Sequence, residues 1–215
     1  MITNTSLVRL TAAVALAGFV AGCAPLLLGG AVLGTGLVVT DRRTTGIQIE
    51  DEGIELRAAA RIRQLATLGQ VSATSYNRMV LLTGEVPGAA ERTAVEQAVA
   101  KVENVRSVVN EIVVAGNSSL SSRSADSILS AKVKATLVDA KDVQAHAFKV
   151  LCERRVIYLM GRVTEREANR GAELASQVSG VEKVVKVFEI VSERDLATPG
   201  STTAAPISSA ASAPK

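Results

Sequence analysis

Two stretches of the chain carry one and the same run of apolar and polar positions. Met79-Val-Leu-Leu-Thr-Gly84-Glu-Val86 aligns with Val156-Ile-Tyr-Leu-Met-Gly161-Arg-Val163 at an offset of 77 residues, with Leu82/Leu159, Gly84/Gly161 and Val86/Val163 identical. Further on, Val105-Arg-Ser-Val108-Val109 matches Val181-Glu-Lys-Val184-Val185 at an offset of 76. Self-similarity at a fixed spacing marks repeated structural units, and two modules of about 70 residues follow, 47–115 and 124–192. Residues 116–123, rich in Ser, Gly and Asn, read as the linker.

Each module predicts the same elements. An opening helix covers Asp51 to Leu65 and Asp126 to Leu137, with Asp126 placed to cap its start. Two short β runs follow: Val71–Tyr76 and Met79–Leu82 around Asn77-Arg78, then Phe148–Cys152 and Val156–Met160 around Glu153-Arg154-Arg155. A second helix spans about Ala89–Val102 and Glu165–Val178. Thr164 with Glu167 three residues on gives the latter a capping box. Val-rich strands, Val105–Val114 and Val181–Val191, close the modules. The order αββαβ predicts an α+β fold, in which each small three-stranded mixed sheet is covered by two helices. Gly84 and Gly161, late in a strand run, mark positive φ or a close backbone approach, a structural role.

The ends read differently. Arg9 precedes an apolar run from Leu10 to Val20 that stops at Val20-Ala21-Gly22-Cys23. A short apolar stretch with a basic flank and small residues at its end reads as a secretory signal, residues 1–22. The last four residues resemble a bacterial lipobox, which implies that the Cys23 thiol carries a lipid and becomes the mature N-terminus. Ala24 rather than Asp after it implies sorting to the outer membrane of a Gram-negative cell. An ordinary signal with a chance cysteine is the bland alternative. A second alternative joins Leu10 to Val39 into an uncleaved membrane helix with Gly30 and Gly34 on its packing face. Residues 23–46 read as an apolar, Gly-rich tether, and 193–215, mainly Ser, Thr, Ala and Pro, as a disordered tail.

Composition narrows the function. The 215 residues are 47% hydrophobic but hold three Phe, two Tyr, no Trp, one His and two Cys. Those ligands cannot build a zinc site of the usual three or four Cys/His side chains, and aromatic platforms for single-stranded nucleic acid are scarce. No nucleophile elbow, P-loop or dinucleotide fingerprint occurs. Cys152, in a predicted strand, reads as a buried small side chain, His146 as a loop residue, and Glu165 with Glu167 as ordinary helix N-terminal carboxylates. No enzyme, metal or cofactor is expected. The net charge of +3 conceals an uneven distribution. Residues 50–115 hold seven basic and nine acidic residues, net −2, whereas 124–192 hold eleven and nine, net +2. The absence of a concentrated basic stripe, with the export signal, argues against nucleic acid.

The doubled αββαβ pattern, each with an apolar strand, Gly-x-Val, a helix and a closing Val-x-x-Val, resembles the BON domain family. Thr40-Asp-Arg-Arg-Thr-Thr-Gly46, the ten residues Leu159–Ala168 and Ala175–Val181 are closely similar to dual-BON outer-membrane lipoproteins. That resemblance implies a non-enzymatic envelope protein. It implies that the first helix of the second module meets anionic phospholipid such as phosphatidylglycerol, and that the protein serves envelope integrity and division sites. On this chain the helix supplies Ile128, Leu129, Lys132, Val133, Lys134, Leu137 and Val138, and the resemblance implies Trp in a close relative where Ile128 stands. The residues themselves sort into two faces. Leu129, Val133 and Leu137 recur every fourth residue as a core stripe; Ile128, Ala131, Ala135 and Val138 form another, flanked by Lys132 and Lys134, suited to a shallow membrane contact. An adaptor binding envelope proteins through exposed sheet edges is the competing reading.

Overall fold

A computed structural model of the chain describes residues 41–65 and 69–197. The signal, Cys23, the tether up to residue 40 and the tail from 198 lie outside the described residues. In the first module the elements are α1 (Thr45–Leu65), β1 (Gln70–Tyr76), β2 (Met79–Val86), α2 (Ala89–Ala100), β3 (Ser107–Asn110) and β4 (Val113–Val114). In the second they are α3 (Leu120–Asp139), a 3-10 turn at Ala145–Ala147, β5 (Phe148–Glu153), β6 (Val156–Val163), α4 (Glu165–Ser176) and β7 (Lys183–Ile190). The fold is α+β, with the doubled αββαβ order that the repeat predicts.

Topology is the same in both copies. β1 runs antiparallel to β2 and β5 to β6, while β3 pairs parallel with β2 and β7 with β6. The parallel step needs a crossover, which α2 and α4 supply. The last strand of the first module, expected unbroken over 105–114, is instead interrupted between Asn110 and Val113, so β3 and β4 pair separately with β2. At the break the Asn110 side chain accepts from the Ile112 amide, a local turn that competes with the ladder.

The helices bury one stripe each. Ile54, Ala58 and Ile62 of α1 meet Val80, Leu82, Val95 and Val99 in the first core. Leu129, Val133 and Leu137 of α3 meet Ile157, Leu159, Val163 and Leu174 in the second. There Phe148 and Phe188 stack edge to face, with centroids 5.7 Å apart. Gly84 adopts φ +113°, and a Cβ on it would sit 1.9 Å from the Gln70 carbonyl oxygen. Gly161 has no such φ; there the close approach alone acts, 2.2 Å from the Ala147 oxygen.

The faces that the helices leave free meet each other. Tyr76, Met79 and Leu81 of the first sheet pack against Tyr158, Met160, Val185 and Val187 of the second. β2 is buried along its whole length, since helices lie on one side and the other sheet on the other. Each sheet contributes one buried glutamate to this seam, and each is met from the opposite module. Glu85 accepts from Arg154 at 3.2 Å, and Glu189 accepts from Arg106 at 3.0 Å and from Asn77. The donors Asn77 and Arg154 hold equivalent places in the two hairpin turns, whereas the acceptors do not: Glu85 lies on β2 and Glu189 on β7. Removing one partner of such a pair would strand a buried charge, which is far costlier than never having had it.

Two boundaries also move. α3 starts at Leu120, inside the stretch expected to be linker, because Ser119 caps it by accepting from the Ser122 amide. Glu193–Ala197, expected within the disordered tail, forms a short helical turn after Ser192.

Candidate functional site

α3 presents two unlike faces to its surroundings. Leu129, Val133 and Leu137 point into the second core and are almost fully buried. On the opposite side Ile128 is 59% and Val138 64% exposed, and Leu120 at the helix start is 75% exposed. Ala131 and Ala135 lie exposed between them, and Lys132 and Lys134 are exposed on the flanks. Of the residues expected at the lipid contact, Ile128, Lys132, Lys134 and Val138 thus share the open face. Leu129 and Val133 do not: they are core residues, and lipid could reach them only by unpacking the helix. The helical period explains the split, since positions 129 and 133 lie about 100–140° around the helix from 128. Asp139 ends the open face with a negative charge.

The inner face carries a device that the sequence reading missed. Asp126 does not cap the helix; it sits within α3, buried, and reaches the β5–β6 turn. Its carboxylate accepts from the Arg154 and Arg155 amides, both at 2.9 Å. Both turn residues have positive φ, 51° and 63°, a conformation that exposes two amides toward one acceptor. Asp51 of α1 does the same in the first module, accepting from the Asn77 and Arg78 amides at 2.8 and 2.7 Å and from the Ser75 hydroxyl at 2.6 Å. The available signal was an aspartate at the same place in both repeats, inside the apolar period where a charge is costly unless partnered.

Cys152 lies half-buried in β5, and its thiol approaches Asp126 at 3.4 Å. Burial and the neighbouring Asp126 carboxylate push it up to about 12, the opposite of an activated nucleophile. His146 is exposed in the 3-10 turn. Among the described residues no group of three His, Cys, Asp or Glu is placed to hold a metal ion. No helix among them is long and apolar enough to cross a membrane.

A second unforeseen cluster gathers around Asp41-Arg42-Arg43, where the segment from Cys23 joins the fold. Arg42 grips Glu167 with both ends of its guanidinium, each at 2.8 Å, and also donates to the Arg162 carbonyl and the Gln144 side chain. Burial pushes the Glu167 carboxyl up, but hydrogen bonds from Arg42 and the Thr164 amide outweigh it and hold the group below its ordinary value. Glu167 meanwhile completes the capping box of α4 with Thr164, as its spacing predicts. Arg43 turns the other way, donating to Asp51 at 2.7 Å and to Asp41 at 2.8 Å. It lies 4.1 Å over the Tyr76 ring. Adjacent arginines therefore staple one strand of chain to both modules. Asp41 also borders a surface depression with Lys134, Val138, Leu137, His146 and Phe148.

Comparison with known proteins bears on this arrangement. The pattern of the BON domain matches residues 51–116 and 125–192. The outer membrane lipoprotein DolP of Haemophilus influenzae is 38% identical over 174 residues, 80% of this chain and 90% of that protein. A 21 kDa hemolysin of Actinobacillus pleuropneumoniae is 31% identical over 154 residues, 70% of this chain and 79% of that protein. Among solved structures, the C-terminal domain of CdsD, a type III secretion protein of Chlamydia trachomatis, overlaps 64% of this chain and 96% of its own. The TM-score is 0.28 and the identity 10%, a likeness too slight to carry an argument.

Proposed function

The chain belongs to the BON domain family, and from that premise we propose that it is a lipid-anchored outer-membrane protein of the Gram-negative envelope whose second module docks on anionic phospholipid. Its similarity to an outer membrane lipoprotein over most of both chains supports the location. Cys23 is the attachment point, on the strength of the Val20-Ala21-Gly22-Cys23 pattern, and a palmitate analogue should label the wild type but not Cys23→Ala.

One observation carries the lipid reading: Ile128 and Val138 stand exposed on a helix whose other face is fully engaged in the core, with Lys132 and Lys134 beside them. Apolar side chains between lysines suit the boundary between acyl chains and phosphate headgroups, where each lysine near an anionic surface contributes about 1 kcal/mol. Ile has no indole to settle at the interface, so the lysines carry a larger share of the affinity and the binding falls steeply with salt. The chemistry is recognition; the half-buried, high-pKa Cys152 and the exposed His146 offer no nucleophile–base pair.

The test is binding of the non-lipidated chain to vesicles of phosphatidylglycerol and of phosphatidylcholine. Preference for phosphatidylglycerol, lost in Ile128→Glu, is the expected result. Equal binding to both, or no loss in the variant, would overturn it. A second reading, an adaptor for envelope proteins, is favoured by the first module. There β1 pairs with β2 alone among the described strands, and exposed Leu56 borders a depression lined by Glu52, Ala59, Val71 and Ala73. Strand addition at that edge would survive Ile128→Glu and fail on Ala73→Pro.

A further inference from the structure

The Asp41-Arg42-Arg43 cluster has no part in either core, yet its two arginines are ion-paired and largely covered. Arg42 is 11% and Arg43 13% exposed at the side chain, the lowest of the ion-paired arginines among the described residues, the others running from 17% for Arg162 to 57% for Arg155. A chain entering a domain usually needs no such fixing, because terminal segments tend to be loosely held. Here the two arginines take opposite modules: Arg42 binds Glu167 and the Arg162 carbonyl of the second, and Arg43 binds Asp51 and covers Tyr76 of the first. The place where the anchored segment meets the fold is thereby set, and it adjoins the C-terminal half of α3. Asp41 lines the same depression as Lys134 and Val138, two of the residues on the helix's open face.

We propose that Arg42 and Arg43 form a clip that fixes the exit of the lipid-anchored segment beside the Lys134–Val138 end of α3, so that anchor and helix bear on one bilayer as a bivalent pair. The inference rests on the membrane reading of α3. Bivalency gains only when geometry lets both contacts form together, and is lost when it does not. Only 17 residues, 24–40, separate Cys23 from Asp41, a span of at most about 60 Å even when fully extended. An exit fixed beside α3 spends none of that length in passing around the modules. Arg42 and Glu167 act as positioning residues: they touch no lipid, and they determine which face of the fold the anchor presents to it.

The experiment uses the lipidated chain on vesicles of phosphatidylglycerol and phosphatidylcholine mixed in equal parts. A nitroxide is placed at Val138→Cys in a Cys152→Ser background, and its immersion is read from accessibility to oxygen and to a nickel chelate. Arg42→Met/Glu167→Gln removes both charges together, and the glutamine side chain can still complete the capping box with Thr164; Glu167→Gln alone is the milder companion. The expected result is a label immersed in the parent and severalfold less immersed in the double variant, with Glu167→Gln between them. Vesicle affinity of the same variants without lipid should stay within about twofold of the parent, which also certifies that α3 is still folded. Unchanged immersion in both variants overturns the clip and leaves the membrane reading intact. Failure of the non-lipidated parent to bind overturns the membrane reading, and the clip's role with it.

Discussion

α1 and α3 occupy the same place in the two modules and agree on one side only. Inward, the match is nearly residue for residue: Asp51 and Asp126 latch a hairpin turn, and Ile54, Ala58 and Ile62 answer Leu129, Val133 and Leu137 in filling the core. Outward, they part company. α1 exposes Ile49 and Leu56 beside Glu52 and the Glu50–Arg57 ion pair, and α3 exposes Ile128 and Val138 beside Lys132 and Lys134. An inner face is constrained by everything packed on it, where one methylene matters. An outer face meets only solvent and partners, so one fold can carry a surface of mixed charge in one copy and a lysine-edged apolar surface in the other.

Cutting the shared side should have the largest effect. Asp51→Ala and Asp126→Ala each leave two turn amides without their acceptor, and unmade buried hydrogen bonds cost roughly 1–3 kcal/mol apiece. Urea unfolding should show both destabilised, Asp51→Ala the more, because Arg43 and Ser75 lose their partner as well. Equal effects would mean that the link through Arg43 adds nothing. The outward difference comes next. Ile128→Glu should weaken phosphatidylglycerol binding by about tenfold or more, while Leu56→Glu on α1 stays within about twofold; parallel losses would erase the distinction between the helices. Lys134→Gln is a smaller step, about fivefold from the loss of one cation near the surface, visible as a shallower salt dependence in the same vesicle titration.

The smallest effect is acidic. The Glu167 carboxyl is held below its ordinary value of 4.5, so its contribution to stability is fully present above that value. It is lost as pH falls through the lower folded value. Thermal unfolding followed from pH 6 to pH 3 should therefore show an acid-side decline that is shallower in Glu167→Gln. A matching slope in both proteins would show that Arg42 does not depend on the charge of its partner.

Much of this was legible along the chain. Burial of 129, 133 and 137 follows from their spacing, the capping box from Thr164 and Glu167, and the place of each hairpin turn from the polar residues between β runs. Asp126 was misread for a reason that lies in the residue itself: aspartate near the start of an apolar period is usually a cap, and only the turn folded against α3 reveals a second set of amides. Leu129 and Val133, named for the lipid contact by resemblance, lie in the core because a resemblance names a helix, whereas the helical period decides which side of it is free. For the sheet-to-sheet seam a signal did exist. Met79–Leu82 and Ile157–Met160 are unbroken apolar runs, the mark of strands covered on both faces.

What the sequence determined by itself is local and periodic: the doubled αββαβ order, two cores and the charge difference between the modules. Each depends on residues within a few turns or strands of one another, where spacing along the chain translates directly into a shared face. Tertiary structure alone decided the rest. Arg42 meets Glu167 across 125 residues, Glu85 meets Arg154 across 69, and Arg106 meets Glu189 across 83. Such pairs leave no period in the sequence, because a charge buried at a seam looks like any surface charge until the opposing module closes over it.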